Sequence, residues 1–467
     1  MLSRSRLIPL IIASALFMEN MDSTVIATSL PAMAADFGSD PIILKLAFTT
    51  YLLSLTIFIP VSGWCADRFG ARHVFRIAIA VFTLGSIACG SAGSLGWLVA
   101  ARALQGLGGA MMVPVGRIIL LRSIPKSELV DALAWLTIPA LIGPLVGPPI
   151  GGFITTYFHW RWVFWMNVPF GIAAIGFATL MMPEIEAEAV APLDFTGFLL
   201  SGFGLSFTVF GLTIVGRDMF PMYLPFLLIG LGAAALAAYA RHARIIANPI
   251  LDFRLLRFET FRAGVIGGSM FRVGVGAIPF LLPLMLQLGF GLSAFHSGML
   301  TCAAALGAIS MKFAAARLIR RFGFRRLLIV NGIVSCIILG LNGLITAMTP
   351  YAILLTILLF GGFLRSLQFT AMNAITYSDI AHEDMSRATS LYTVAQQLSL
   401  SMGVAAAAFI LELTQYARGD TAITAGDFSV AFFAVAALSL VSVRQFTSLT
   451  ADAGSAVSGR SSSTTGA

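Results

Sequence analysis

The chain has 467 residues, of which 58% are hydrophobic and only 11% charged. A soluble domain carries about 25% charged residues, so this composition excludes a water-soluble enzyme, a disordered chain and a disulfide scaffold, and points to a polytopic membrane protein. The net charge of +8 does not imply nucleic acid binding, because the basic residues sit in short loops between apolar runs, as membrane topology requires.

The apolar runs come in chain order at 7–30, 44–63, 74–92, 97–117, 132–155, 162–182, 195–215, 222–240, 263–288, 297–316, 327–347, 351–373, 390–412 and 427–444. Fourteen spans of about 21 residues use about 294 residues, which leaves loops but no sizeable soluble domain. Arg4 and Arg6 precede the first run, and Ala32-Met33-Ala34 resembles a cleavage site. The run is too long for a signal core and contains Glu19, Asn20 and Asp22, so it reads as the first transmembrane helix. Cys65, Cys89, Cys302 and Cys336 show no metal or redox spacing and read as small core residues.

With an even number of spans both termini share one side. That side collects Arg4, Arg6, Arg68, Arg72, Arg76, Arg117, Arg122, Lys126, Arg241, Arg244, Arg254, Arg257, Arg317, Arg320, Arg321, Arg325 and Arg326. The positive-inside rule makes it cytoplasmic. The loop 183–194 falls on the same side with Glu184, Glu186, Glu188 and Asp194, but acidic residues count little in this rule. Arg68-Phe69-Gly70-Ala71-Arg72 returns as Arg321-Phe322-Gly323-Phe324-Arg325, an echo expected of a transporter built from related halves. The expected division is a six-helix half at 1–182, a central pair with its connections at 183–262, a second six-helix half at 263–446, and a disordered Ser/Thr/Gly-rich tail at 447–467.

Four motifs fall on these spans. Gly63-x-x-x-Asp67-Arg68-x-Gly70-x-Arg72 forms the turn between helices two and three; its glycines suit a tight turn and close helix approach. Arg102-x-x-Gln105-Gly106 lies on helix four, where an intramembrane arginine is a functional hypothesis by default, with snorkelling to the interface as the alternative. Gly143, Gly147 and Gly151, with Pro148 and Gly152, make a small-residue stripe on helix five, suited to tight packing. On helix one, Asp22 lies deep in a span with Glu19 three residues earlier, on the same face. Burial disfavours a charged carboxyl group, which suits such residues to proton exchange.

Depth arithmetic relates two of these residues. Asp22 lies about 22 Å from the inner boundary at 1.5 Å per residue. Arg102, entering from outside, reaches the same level in a core of about 30 Å. A buried pair is expected.

The sequence resembles the major facilitator superfamily, and within it the fourteen-helix drug:proton antiporters. The turn, arginine and glycine-proline motifs occur in that family's order on helices two, four and five. The resemblance implies an all-α membrane fold of six plus two plus six helices. It implies a gating role for Gly63, Asp67, Arg68, Gly70 and Arg72. For such a gate, Asp67 is expected to reach a helix N-terminus or basic group in the opposite half. Proton coupling would fall on Arg102, framed by Gln105 and Gly106, and the antiporter stripe on Gly143, Gly147, Pro148, Gly151 and Gly152. Asp22, Thr24 and Pro31 match the helix-one motif, whereas Met21 and Ala27 depart from it. In the second-half turn Arg320 replaces the acidic residue and Ala316 the glycine.

Further intramembrane polar residues are candidates for a cavity wall: Arg272, Gln287, Arg365, Asn373, Gln396 and Gln397. Interhelical hydrogen bonding is the alternative. His159, Trp160, Arg161, Trp162 and Trp165 read as an outer interfacial belt. The expectation is a proton-coupled exporter of small amphipathic or drug-like compounds working by alternating access, not an enzyme, in the plasma membrane (the inner membrane of a Gram-negative cell), with both termini cytoplasmic and no cofactor. Its partners would be a small molecule, protons and membrane lipid, and no nucleic acid. No P-loop motif is present, so ATP is not the expected energy source. A transporter of an organic anion or metal chelate is the rival reading, and a non-transporting receptor the remote one.

Overall fold

Backbone polar groups cannot remain unpaired in lipid, so long apolar runs must close their hydrogen bonds internally as helices. A computed structural model describes the backbone of residues 4–124, 129–184, 192–214, 221, 223–246, 249–381, 384–419, 423–450 and 452–454. Lys126, Glu186, Glu188, Arg217 and most of the polar tail lie outside these residues.

The helices run α1 (Arg4–Phe37), α2 (Lys45–Phe69), α3 (Ala71–Gly90), α4 (Leu95–Ser123), α5 (Leu129–Tyr157), α6 (Trp162–Trp165), α7 (Asn167–Met181), α8 (Phe195–Ile214) and α9 (Tyr223–Ile245). They continue as α10 (Glu259–Arg262), α11 (Gly268–Leu284), α12 (Ala294–Phe322), α13 (Phe324–Leu341), α14 (Tyr351–Thr376), α15 (Met385–Arg418), α16 (Ala425–Leu440) and α17 (Ser442–Thr447). Among the described residues, thirteen helices are long and apolar enough to cross a membrane. The remaining expected span, 132–155, falls within α5, a helix of 29 residues.

Helix ends follow local chemistry. The side chain of Asp40 accepts from Ile42 N at 2.8 Å and starts the turn leading into α2; Ser94 caps α4 in the same manner. Thr424 and Asp427 form a reciprocal capping box on α16. Gly70 and Gly323 take φ of 85° and 72° at the α2–α3 and α12–α13 turns, a backbone region open to glycine and poor for other residues. The sequence echo is therefore also a structural one.

Contacts group the chain into two units: Met1–Gly211 with Phe226–Tyr239 and Leu292–Cys302, and Leu212–Pro225 with Ala240–Gly291 and Ala303–Ala467. In the first, α1 packs on α5 and α7, and α4 on α2 and α3. In the second, α11 packs on α15 and α16, and α13 on α14. The core of the second unit includes Phe271, Met311, Phe324, Leu328, Met372 and Phe446. Large apolar side chains also face outward, including Leu180, Phe226 and Phe313, as suits a bundle whose solvent is lipid.

Beyond the spans, burial works against the Asp252 carboxylate, but hydrogen bonds from Arg254 and the charges of Arg254 and Arg387 hold it below its ordinary pKa. The start of the polar tail is anchored: Leu449 is buried and Thr450 N donates to Glu259 Oε1 at 2.9 Å. An apolar residue there gives the chain a reason to stay on the bundle.

Candidate functional site

Five helices of the first unit converge on one buried ion pair. Asp22 of α1 and Arg102 of α4 are 3% and 0% exposed, and Arg102 Nη1 lies 2.6 Å from Asp22 Oδ2. The other carboxylate oxygen, Oδ1, accepts from Gln105 Nε2 at 2.9 Å and Asn167 Nδ2 at 2.8 Å. Ser86 Oγ of α3 accepts from both amides, at 2.8 and 3.3 Å. Arg102 also donates through Nη1 to Gln105 Oε1 and through Nε to Ala47 O. Its guanidinium lies 4.1 Å from the centroid of the Tyr51 ring on α2, a cation–π contact.

Small residues make this convergence possible. A Cβ on Gly106 would stand 2.6 Å from Ser54 Cβ and 2.7 Å from Tyr51 O, so α2 and α4 could not approach with a larger residue there. A Cβ on Gly85 would meet Gln105 at 2.7 Å. Arg102 and Gln105 are three residues apart on one helix, which places both on the face toward Asp22.

The expected depth match between Asp22 and Arg102 is thus met by a direct salt bridge. Three polar atoms around it are buried without a hydrogen-bond partner among the described residues: Arg102 Nη2, Tyr51 Oη and Asn167 Oδ1. Among the described residues Glu19 contributes no bond to the pair, and its Oε2 is also buried without a partner.

The helix-five stripe divides between two faces. Gly143 lies against Asn20 and Phe17 of α1, Gly147 against Thr24, and Gly151 against Val25 and Thr28. Gly152 instead meets Ala294 and Phe295, and Pro148 meets Gly298, at the start of α12, which belongs to the same unit. Phe295 N also donates to Thr156 Oγ1 at 3.0 Å. Helix α1 thus carries Asp22 on one face and the stripe on another. A Cβ on Gly147 would collide with Thr24 Oγ1. We expect Gly147→Leu to lose transport while lowering stability by about 1–3 kcal/mol, the usual range for overpacking. Parallel melting curves and flux assays check this, and normal transport would remove the stripe from the mechanism.

At the turn, Asp67 Oδ1 accepts from Arg122 Nη2 at 2.9 Å, at the end of α4. This partner lies in the same unit, not in the opposite half as the turn motif leads one to expect. Arg72 pairs with Glu184 at 3.3 Å and donates to Thr179 O near the end of α7. Arg68 is exposed. A Cβ on Gly63 would meet nothing within 4 Å, so close helix approach at that glycine is not what this conformation shows. Both partners of the Asp67 bridge are partly exposed, and such pairs contribute about 0.2–1 kcal/mol. Asp67→Asn should therefore insert and fold normally yet transport poorly. Membrane yield and flux measured together test this, and wild-type flux would exclude a gating role.

In the second unit, buried Arg272 of α11 donates through Nη2 to Tyr392 Oη at 2.6 Å, and Tyr392 donates to Asn373 Oδ1 at 2.7 Å. Gln396 Nε2 reaches the same oxygen at 3.2 Å. Three of the expected cavity residues thus share a network with Tyr392, which runs from a buried guanidinium to the exposed Asn373. Arg365 forms no hydrogen bond or ion pair among the described residues. Gln397 is partly buried, and Gln287 lies in a π-helical turn after α11. Trp160 is buried rather than turned outward, and donates to Asp36 Oδ2 at 3.1 Å, beside Arg161 at 2.7 Å from the same oxygen.

A family model described as Major Facilitator Superfamily matches residues 12–404, with a second match over 264–450. The chain belongs to the major facilitator superfamily. It is 36% identical over 428 residues to "Putative multidrug resistance protein MdtD" of Cronobacter sakazakii, covering 91% of this chain and 89% of that protein. Among solved structures, the POT family transporter PepTSo superposes with a TM-score of 0.69 at 15% identity, covering 94% of this chain and 97% of that one. A D-xylose-proton symporter does so with 0.67 at 14% identity, covering 95% and 97%. At such identity these likenesses establish the fold alone. This superfamily member is a multi-pass membrane transporter.

Sequence reasoning for this facilitator missed Asn167, Ser86 and Tyr51. Asn167 had a usable signal, being the one amide in the run 162–182. Ser86 and Tyr51 had none, since serine and tyrosine are ordinary in membrane helices.

Proposed function

We propose that this facilitator is a proton-driven exporter of small amphipathic or drug-like compounds, working by alternating access in the plasma membrane with both termini cytoplasmic. The buried Asp22–Arg102 pair carries the reading. The name of the MdtD relative supports the substrate class, and the basic loops support the orientation. The organisation is six helices, a central pair and six helices, with Asp67, Arg68, Gly70 and Arg72 at the gating turn.

A proton arriving from outside neutralises Asp22. Arg102 then keeps Gln105 Oε1, Ala47 O and the Tyr51 ring as partners, while α1 loses its charged tie to α4. Because α1 also seats the glycines of α5, its movement passes to α5 and favours the inward-facing state. Proton release to the cytoplasm restores the pair and resets the cycle. Glu19, three residues from Asp22, is a second carboxyl group on this route.

A second reading, carriage of an organic anion, is favoured by two membrane arginines: among the described residues Arg365 has no partner, and Nη1 of Arg272 is buried and unpaired. Proteoliposomes with an imposed pH gradient separate the two. Gradient-driven movement of a cationic dye is the expected result. Movement of organic anions alone would favour the second reading, and movement of neither would contradict both.

A further inference from the structure

The two related turns differ in how their charge is neutralised. At the first, Asp67 answers Arg122 and Glu184 answers Arg72. At the second, Arg320 occupies the acidic position, and five arginines fall between residues 317 and 326. No Asp or Glu occurs anywhere between Glu259 and Asp379. Arg325 donates to the carbonyl of Thr447, and Arg321 lies over the Phe322 ring. None of the five forms an ion pair among the described residues. The fold thus leaves a concentrated positive charge at one membrane face.

Beside it lies a groove of about 270 Å³ between α12, α13 and α14. Leu318, Val330, Val334 and Leu367 form its apolar walls, and Arg326 is part of its lining. Arg326 is exposed, and Val330 is 52% exposed. An apolar trough with a free guanidinium at its basic end, set in a membrane, has the shape and charge of a phospholipid: a chain along the valines and a phosphate at the arginine. Arginine suits that phosphate, because its planar fork bonds two oxygens at once.

We propose that this groove is a binding site for one anionic phospholipid, with an acyl chain against Val330 and Val334 and its phosphate on Arg326. The lipid supplies the negative charge that Asp67 supplies at the first turn. Basic clusters at the cytoplasmic ends of membrane helices attract anionic headgroups generally; what is specific here is the groove, which adds a seat for the chain.

The test uses the full chain in detergent, titrated with equal phosphatidylglycerol and phosphatidylcholine and read by native mass spectrometry. Wild type should retain one phosphatidylglycerol in preference to phosphatidylcholine. Arg326→Gln should lower that retention by about fivefold, the scale of one basic side chain at an anionic surface. Val330→Trp fills the groove without changing charge and should do the same. Arg244→Gln, at the exposed end of α9, should leave retention unchanged. Glycerol phosphate, a headgroup without chains, should not displace the lipid. Retention of the wild-type adduct by Arg326→Gln or Val330→Trp would overturn the proposal. So would equal loss in Arg244→Gln, or displacement by glycerol phosphate, which would mark a phosphate site rather than a lipid site.

Discussion

Asp22→Asn is expected to reduce proton-coupled transport to the level of empty vesicles. The substitution keeps the size of the side chain and leaves an oxygen for Gln105 and Asn167 to donate to, but it removes the group that gains and loses a proton. It also leaves Arg102 as a buried charge without a counter-ion. Breaking one side of a buried pair costs about 3–5 kcal/mol, so loss of activity must be separated from loss of fold. The double variant Asp22→Asn/Arg102→Gln removes both charges and should recover much of the lost stability without recovering transport. Recovery of transport along with stability would show that Asp22 serves folding alone.

Arg102→Ala is the second large effect. Arg102 is fully buried and bonds or stacks with α1, α2 and its own helix through Asp22, Ala47, Tyr51 and Gln105. Its removal strands the Asp22 carboxylate with only amide donors, again at about 3–5 kcal/mol. We expect a lower melting temperature and a transport rate whose pH profile no longer follows the wild type. Arg102→Lys keeps the charge but not the planar fork, which joins Asp22 and Gln105 through one nitrogen and Ala47 through another, so it should fold better than the alanine variant while still transporting slowly. A wild-type pH profile in Arg102→Ala would separate the arginine from proton coupling.

The pairing of Asp22 with Arg102 was legible because charge is rare in spans and helical rise converts sequence position into depth. The stripe was legible because small residues at every fourth position permit close packing: Gly143, Gly147 and Gly151 pack on α1, whereas Gly152 and Pro148 meet the start of α12. Helix ends were less legible. The first run was expected to close near residue 30, before Pro31, yet α1 continues to Phe37 and the chain turns at Gly38, with φ of 60°. Membrane helices tolerate proline where soluble ones break. The run 162–182 divides into α6 and α7, and π-helical turns flank α11 at Ala263–Gly267 and Met285–Gly289; apolar periodicity does not register such changes. Asp67's partner was out of reach for a different reason: a long arginine at a helix end has several acids within its span, and only coordinates select among them.

Substrate-triggered proton release tests the central claim most directly. Purified protein in weakly buffered detergent, with a pH-sensitive dye, is mixed with a transported cation. Wild type should release protons on binding, because the substrate-loaded state re-forms the Asp22–Arg102 bridge. Asp22→Asn should bind the compound with comparable affinity and release none. Undiminished proton release from Asp22→Asn would place the coupling proton elsewhere in the protein and contradict the account.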